Sequence, residues 1–356
     1  MPRPVSARQA ELDIVRHCHS GLDIVDLRNQ VLRSLRRLMP IDAVFFATAD
    51  PETLLFTGAY SEEPLGGSTL LFLDNEFGCQ DVNKFAALAT SAHHVASLDG
   101  ATGRDRSSSV RYRRIMRPLG LGDEVRAALV AGAECWGYLC LHRTEHRLGF
   151  TAAEAAALAR IGPHIAHAVR QAVLRTRAGT GDAPGPGVVL LADDLSVVAI
   201  TPQAEHLLSL IDSGPTGHPL PVAVRAVAMA LGAVERGAAM YLPSARIPTT
   251  TGRWLSVHAS RLRGPGEDRI AVVLEPAEAR ASVPVMLAAY GLSKRETEVA
   301  KLVLRGASTR TIVDALHISR HTVQDHLKAV FDKVGVRSRR DLVSRLLDIA
   351  SPGRGA

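Results

Sequence analysis

The sequence predicts a multidomain protein in which two α+β domains precede a small all-α domain of four helices. Three observations predict this fold class. At 356 residues the chain exceeds what one typical hydrophobic core requires. Two stretches rich in proline, glycine or small residues, RTRAGTGDAPGPG and EPAEARASVP, interrupt it. Strand-like and helical apolar spacings alternate before residue 275, whereas only helical spacing follows residue 285.

These interruptions set the predicted boundaries. We expect a first domain over residues 1–175, a linker over 176–187, a second domain over 188–275, a linker over 276–284 and a terminal domain over 285–350. The first linker holds no residues from which a core could be built. The second is the weaker interruption and is bracketed by prolines.

Composition favours a globular cytoplasmic protein, with 46% hydrophobic and 22% charged residues. No apolar run approaches the roughly 20 residues of a membrane-spanning helix. The N-terminus has no apolar block after its arginines, so we expect no signal peptide. Four cysteines are too few for a disulfide framework, and we expect reduced thiols at Cys18, Cys79, Cys135 and Cys140.

Positive charge is concentrated at the end of the chain. Residues 285–350 contain twelve lysines and arginines and seven aspartates and glutamates, a net charge of +5 out of +6 for the whole chain. A small basic terminal domain is typical of a protein that binds a polyanion.

The first domain is predicted to combine helices and strands. A helix should end at Pro40, and IDAVFFATAD and STLLFLD have the composition of strands. EVRAALVAGAECWGYLCLHR contains two strand-like runs around a turn at Gly132. Thr151-x-x-Glu154 is a capping box that opens the next helix. This order, with WGYLCLHR followed by FTAAEAAALARI and a closing helix, resembles a GAF domain.

The resemblance implies that the first domain could bind a small molecule. The arginine-rich stretch RDRSSSVRYRRIMRP is either a charged helix face or part of a pocket for an anionic ligand. Trp136, Tyr138 and Cys140 alternate along a strand and should share one face, which packs in the core or lines a pocket.

The second domain is predicted to begin with a strand, a turn, a second strand and a helix, in GVVLLADDLSVVAITPQAEHLL. RWLSVHASRLRG and RIAVVLEP should form a closing strand pair. This order is similar to that of a PAS-like domain.

The terminal domain is predicted to contain four short helices. The first has the capping box Ser293-x-x-Glu296 and ends at Gly306. The other helices begin near Ser308, Ser319 and Ser338. In the third helix, one apolar stripe recurs at helical spacing and comprises Val323, Leu327, Val330 and Val334. A tight turn between the second and third helices makes a helix-turn-helix unit.

LSKRETEVAKLVLRGASTRTIV and LHISRHTVQDHLKAVFDKVGVRSRRDLV resemble the DNA-binding domain of LuxR/NarL-type transcription regulators. Val313 departs from the alanine that is usual there. The resemblance implies a cytoplasmic regulator that binds double-stranded DNA as a homodimer. It covers residues 285–350 only.

If the apolar stripe points inward, the opposite face of the third helix is free to enter the major groove. The predicted base-contacting residues are Gln324, Asp325, Lys328 and His321. The predicted phosphate-contacting residues are Ser319, Arg320, Thr322, Arg310, Arg337 and Arg339. The family's dimer contact implies Leu342, Arg345 and Leu346 on the fourth helix. An ordinary solvated helix face is the alternative explanation.

No catalytic residue, metal ligand or cofactor is predicted. The stretch HRTEH matches a zinc-protease spacing but follows a strand instead of lying on a helix. The chain also lacks a P-loop. We therefore expect a regulator and not an enzyme. Two alternatives remain: N-terminal domains that serve only as a dimerisation scaffold, and a signalling enzyme with an accessory DNA-binding domain.

Overall fold

The computed structural model describes residues 7–145, 147–175, 185–212, 219–237, 242–264, 266–277 and 279–347. The helices are α1 (Ala7–Cys18), α2 (Ile24–Leu38), α3 (Thr69–Leu73), α4 (Phe85–Thr90), α5 (Leu98–Thr102), α6 (Ala152–Arg175), α7 (Pro202–Ser209), α8 (Val222–Glu235), α9 (Ala279–Ala289), α10 (Lys294–Leu304), α11 (Thr309–Leu316), α12 (Arg320–Val334) and α13 (Arg339–Leu347). The strands are β1 (Ala43–Ala49), β2 (Phe56–Ser61), β3 (Val95–Ser97), β4 (Leu121–Ala131), β5 (Glu134–Thr144), β6 (Gly187–Leu191), β7 (Val197–Ile200), β8 (Ser244–Pro248), β9 (Trp254–Leu262) and β10 (Arg269–Pro276).

Most of the predicted first linker, residues 176–184, lies outside the described residues, as do His146 of the HRTEH stretch and residues 348–350. None of the helices in the described ranges is both long and apolar enough to cross a membrane. All four cysteines are free thiols.

Within the described ranges, the first sheet has five antiparallel strands in the order β2-β1-β5-β4-β3. One face packs against α1, α2 and α6 through residues such as Val31, Phe46 and Ile161. On the other face, Phe45, Tyr138 and neighbouring aromatic residues form a second core. The Thr151–Glu154 capping box predicted for α6 is confirmed, since each residue's side chain accepts the other's backbone N–H.

A β-bulge in the β4–β5 hairpin changes the predicted side-chain pattern. The two strands and the turn at Gly132 are confirmed. However, Leu129 pairs with Gly137 and Val130 with Cys135, so Trp136 is the extra residue. The bulge places Trp136 on the α6 side of the sheet. Tyr138 and Cys140 lie on the opposite face, so the prediction that all three share one face is wrong.

STLLFLD was predicted to be a strand, and this is also wrong. Thr69–Leu73 forms α3, with Thr69 and Leu73 buried four residues apart and Leu70 and Leu71 exposed. A short apolar run is compatible with a buried strand or a helix, and its periodicity cannot distinguish them.

The second sheet has the strand order β7-β6-β10-β9-β8 among the described residues. If the five strands of each sheet are numbered in chain order, both sheets have the same spatial order: second, first, fifth, fourth, third. The predicted strand–turn–strand–helix start and the closing strand pair are confirmed as β6, β7, α7, β9 and β10. The sequence analysis missed β8 and α8.

Helix α8 and one buried ion pair join the two sheets. Val224 and Val227 of α8 lie in the same core as Phe56 of the first sheet and Val257 of the second. Beside them, the Asp50 carboxylate accepts hydrogen bonds from the Arg246 guanidinium at 2.7 and 2.8 Å and from the Arg246 backbone N–H at 3.0 Å.

The predicted second linker is largely helical, which corrects the boundary drawn at residues 276–284. Residues from Ala279 onward form α9, and Pro284 lies within it. Val283 and Leu287 pack with the terminal helices. Val285 and Ala289 pack with the core under α6. The helix thus contacts both parts of the molecule, which a flexible linker would not do.

Candidate nucleic-acid interface

The apolar stripe predicted for α12 is confirmed. Val323, Leu327, Val330 and Val334 are all buried, between 0 and 3% exposed. Val299 of α10, Ile312 of α11 and Leu342 of α13 complete this core. Because the stripe faces inward, the opposite side of α12 is directed to solvent.

The turn that precedes α12 has a defined geometry. His317 ends α11 in the left-handed conformation, with φ at 52°, and its N–H donates to the Val313 carbonyl. Histidine is enriched at such positions relative to most residues with a side chain. Ser319 then caps α12, because its hydroxyl oxygen accepts the Thr322 N–H at 3.1 Å.

Glu296 anchors α12 to α10. Its carboxylate accepts the Ser293 N–H, which completes the predicted capping box, and accepts a 2.6 Å bond from Lys333 of α12. Burial opposes ionisation of this carboxyl, but the bonds from Lys333 and Ser293 outweigh burial and lower its pKa. The sequence analysis found the capping box and missed Lys333, which lies 37 residues away.

The four side chains predicted to contact bases lie on one exposed face of α12: His321, Gln324, Asp325 and Lys328. His321 Nε2 lies 3.7 Å from Asp325 Oδ2, and both side chains are more than 60% exposed. A contact between side chains so exposed contributes little to stability. Both side chains can therefore exchange this contact for another at little cost.

The arginines predicted to contact phosphates differ in their exposure and in the hydrogen bonds that they make within the chain. Arg310, Arg320 and Arg337 are exposed. By contrast, the Arg339 guanidinium donates to the Ala307 carbonyl and to the Thr309 hydroxyl, at 3.0 Å each. Arg339 therefore joins α13 to the start of α11, a structural role that the sequence analysis missed.

Two of the three residues expected at a dimer interface are not accessible. Leu342 and Leu346 are both 0% exposed and belong to the core that α13 shares with α9 and α12. Their assignment to a dimer contact is corrected, because side chains packed inside the domain cannot meet a second chain. Arg345 remains exposed, and its Nε lies 3.4 Å from the Tyr290 hydroxyl.

The arginine-rich stretch of the first domain is partly the predicted charged face, but one of its arginines has a buried role that neither prediction gave it. Arg104, Arg113, Arg114 and Arg117 are exposed, as a charged face requires. Arg111 is 1% exposed and donates to Glu124 at the centre of a buried ionic network. It also donates to Asn75 and to the Val82 carbonyl, and it lies 3.7 Å from Asp81. Its hydrogen-bonding capacity is therefore used within the chain.

Arg126 extends this network. Its guanidinium donates to Glu76 at 2.8 Å, lies 3.2 Å from Glu124 and stacks over the Phe85 ring. Burial disfavours ionisation of Glu124, but Arg111 and Arg126 outweigh it and hold the pKa of this carboxyl well below its usual range.

Glu124, Cys140 and His142 form a buried group in which one potential ligand atom from each lies within 4.8 Å of the others. Burial lowers the pKa of His142 to about 4 and, together with the Glu124 charge, raises that of Cys140. The adjacent Arg111 and Arg126 charges oppose a divalent cation at this point. The group is therefore better explained as part of the ionic network.

Comparison with known proteins addresses the terminal helices directly. Residues 291–346 match the family model described as bacterial regulatory proteins, luxR family. The spore germination protein GerE of Bacillus subtilis (strain 168) is 39% identical over 56 residues, which cover 16% of this chain and 76% of GerE. The chain belongs to the LuxR family of bacterial regulatory proteins. It is a DNA-binding transcription regulator with a helix-turn-helix domain, as the sequence predicted.

Solved structures that resemble this LuxR-family chain include the phycoerythrobilin-bound GAF domain from a cyanobacterial phytochrome. The match has a TM-score of 0.33 and 18% identity, and it covers 48% of this chain and 96% of that one. Escherichia coli SdiA matches with a TM-score of 0.34 and 11% identity over 98% of this chain and 100% of that one. The VqsR LBD domain from Pseudomonas aeruginosa matches with a TM-score of 0.34 and 17% identity, and the match covers 46% of this chain and 97% of that one.

Proposed function

We propose that this LuxR-family regulator recognises its operator through His321, Gln324, Asp325 and Lys328, which enter the major groove on α12. The observation that supports this most strongly is the orientation of α12, whose apolar stripe is buried and whose polar face is exposed. Lysine can donate to guanine, glutamine pairs with adenine, and aspartate accepts from cytosine. Ser319, Arg320, Thr322, Arg310, Arg337 and Arg339 would contact phosphates.

We also propose that residues 1–175 form a GAF-like domain and residues 188–275 a PAS-like domain, and that a ligand or partner bound there modulates DNA binding in the cytoplasm. The shared strand order of the two sheets supports two units of similar architecture. A modulator must bind the DNA-competent and incompetent states with different affinities. Homodimerisation would use the exposed side of α13 around Arg345, because Leu342 and Leu346 are buried.

A scaffold role for the N-terminal domains is the second candidate. It is favoured by the ionic network, whose buried charges on the Tyr138 face of the first sheet are paired with one another within the chain. Thermal-shift screening of the full chain against small metabolites separates the two roles. A stabilising compound supports a sensor, whereas none in a broad panel supports a scaffold.

Lys328→Ala is expected to weaken binding to the preferred duplex by about 1–3 kcal/mol and to relax the preference at one base pair, because a base contact is lost. The preferred duplex would first be selected from a random pool, and affinity would be measured by fluorescence anisotropy. The control is Lys301→Ala, which removes an exposed lysine of α10. Equal weakening on selected and random duplexes would contradict a base contact by Lys328.

Substitutions of Ser319 separate its role as the N-cap of α12 from its proposed role as a phosphate contact. Ser319→Ala removes the N-cap acceptor and is expected to destabilise the terminal helices by about 0.5–2 kcal/mol. Ser319→Asp retains a cap acceptor but places a negative charge at the proposed phosphate contact. Denaturation should therefore distinguish the alanine variant from the parent, and DNA affinity should fall most for the aspartate variant. Unchanged DNA affinity in Ser319→Asp would place this residue outside the interface.

A further inference from the structure

A cleft of about 920 Å³ lies between the α6 side of the first sheet and the second sheet. Its lining comes from the start of α2, from β1 and β2, from α6, and from residues 248–252 and Trp254, and it includes Val285 of α9. Sites for small molecules typically occupy about 300–1,000 Å³. The cleft is thus large enough for one small molecule, and it lies on the opposite face of the first sheet from Tyr138 and the ionic network.

Aromatic side chains dominate one part of the lining: Phe46, Tyr60, Trp136 and Trp254. The β5 bulge turns Trp136 toward this side, where it is 1% exposed. Its indole N–H has no hydrogen-bond partner among the described residues. Trp136 therefore forms a closed part of the aromatic wall, and protein atoms cover its indole nitrogen.

Most charged groups of the cleft are already engaged. Asp23 accepts backbone N–H groups as the N-cap of α2. Asp50 and Arg246 bind each other, and Asp212 also has a partner. These side chains therefore hold the cleft together and leave little negative charge to attract a cation.

Arg28 is the exception. Its guanidinium lies over the Tyr60 ring, 4.1 Å from the centroid. Within the described ranges it has no carboxylate within 4.0 Å, and its hydrogen bonds are two contacts of 3.3 and 3.4 Å to the Asn29 amide oxygen. A guanidinium stacked on an aromatic ring can still pair with a carboxylate through its N–H groups. The cleft thus combines aromatic walls with an uncompensated positive charge.

Helix α9 connects the cleft to the DNA-binding helices. Val285 lines the cleft, while Met286 and Leu287, the next residues along α9, pack in the core of the terminal domain. Leu174 of α6 packs against both cores. A change in the cleft that displaces Val285 would therefore also displace the side chains on which α10–α13 are packed.

We propose that this cleft binds a small planar aromatic carboxylic acid, stacked against Tyr60 and Trp254 and paired with Arg28. Its occupancy sets the position of α9 and thereby alters DNA binding. This inference rests on the proposed function, since it names the ligand class and the site through which that regulation acts.

Intrinsic fluorescence offers a direct test, because Trp136 and Trp254 are the two tryptophans of the whole chain and both line the cleft. The full-length protein would be titrated with benzoate and phenylacetate, and with benzamide, phenylacetamide and hexanoate for comparison. A saturable change is expected with the aromatic acids, and binding about tenfold weaker is expected with the amides and with hexanoate. No saturable change with either aromatic acid would overturn the proposal.

Variants assign the contacts. Arg28→Gln should remove the preference for acid over amide, and Trp254→Phe should weaken the binding of acid and amide alike, because the smaller ring offers less surface for stacking. Arg33→Gln is the matched control, because Arg33 lies on the same helix, is exposed and does not line the cleft. An unchanged acid preference in Arg28→Gln would contradict the ion pair.

The coupling between the cleft and the DNA-binding helices is tested by measuring the DNA affinity of the full chain with and without saturating phenylacetate. A change of at least about threefold that is absent in Trp254→Phe at the same concentration supports it. Unaltered DNA affinity in the acid-bound protein would contradict the role of α9. A chain that binds no DNA at all contradicts the proposed function, whereas normal DNA binding without any acid response contradicts this inference alone.

Discussion

Glu124→Gln is expected to lower the free energy of unfolding of the first sheet and its helices by about 3–5 kcal/mol. The carboxylate is 0% exposed and compensates two guanidinium groups, Arg111 and Arg126, that are themselves buried. Removal of its charge leaves two cations close together without a shared anion. Chemical denaturation followed by circular dichroism measures the loss.

An exposed ion pair supplies the control for this substitution. Glu62 pairs with Arg36, whose side chain is 41% exposed. Glu62→Gln is expected to cost less than about 1 kcal/mol, because solvent screens such pairs. If Glu124→Gln cost no more than Glu62→Gln, the buried network would not stabilise the first domain as its geometry indicates.

DNA affinity is expected to fall by about 10³–10⁵ between 50 and 200 mM salt, as it does for proteins that make 6–10 phosphate contacts. Arg310, Arg320, Arg337 and Arg339 supply four candidate charges per chain, and a homodimer doubles them. Removal of one arginine per chain, as in Arg320→Gln, should reduce the slope of log affinity against log salt by about 2. Anisotropy titrations in increasing potassium chloride give this slope.

The control is Arg305→Gln, at the exposed end of α10, which should leave the slope unchanged. A salt-insensitive association of the parent protein would contradict an interface built on phosphate contacts. An unaltered slope in Arg320→Gln would remove Arg320 from that interface.

Local patterns explain why the terminal helices could be predicted from the sequence. The stripe of Val323, Leu327, Val330 and Val334 recurs at helical spacing, and each serine cap lies immediately before its helix. Both signals depend on residues within one or two turns of each other. The inward and outward faces of α12 follow from them directly.

Long-range pairing explains much of what could not be predicted. The buried pairing of Arg111 and Arg126 was not predicted, because their partners Glu124 and Glu76 are brought to them only by the fold, in one case across 50 residues. The bonds from Arg339 to groups about 30 residues earlier likewise were not predicted.

Backbone irregularity and competing environments explain the remaining errors. A one-residue bulge places the Trp136 side chain on the opposite face of the sheet from the one expected. An analysis that assumes strict alternation of side chains along a strand cannot detect such a bulge. Leu342 and Leu346 are apolar residues that would suit either a dimer contact or an internal core, and the packing of α9 and α12 decides for the core. The helical α9 was mistaken for a linker because its prolines and alanines resemble one.

The central claim is that the exposed face of α12 determines which DNA this protein binds. The most direct measurement is the ratio of affinities for the selected duplex and a scrambled duplex, in the parent and in a variant with His321, Gln324, Asp325 and Lys328 all replaced by alanine. Alanine favours helix, so α12 should persist. We expect a parent ratio of about 10³ or more to fall close to unity, with non-specific binding retained. A ratio that survives the four substitutions would contradict the claim.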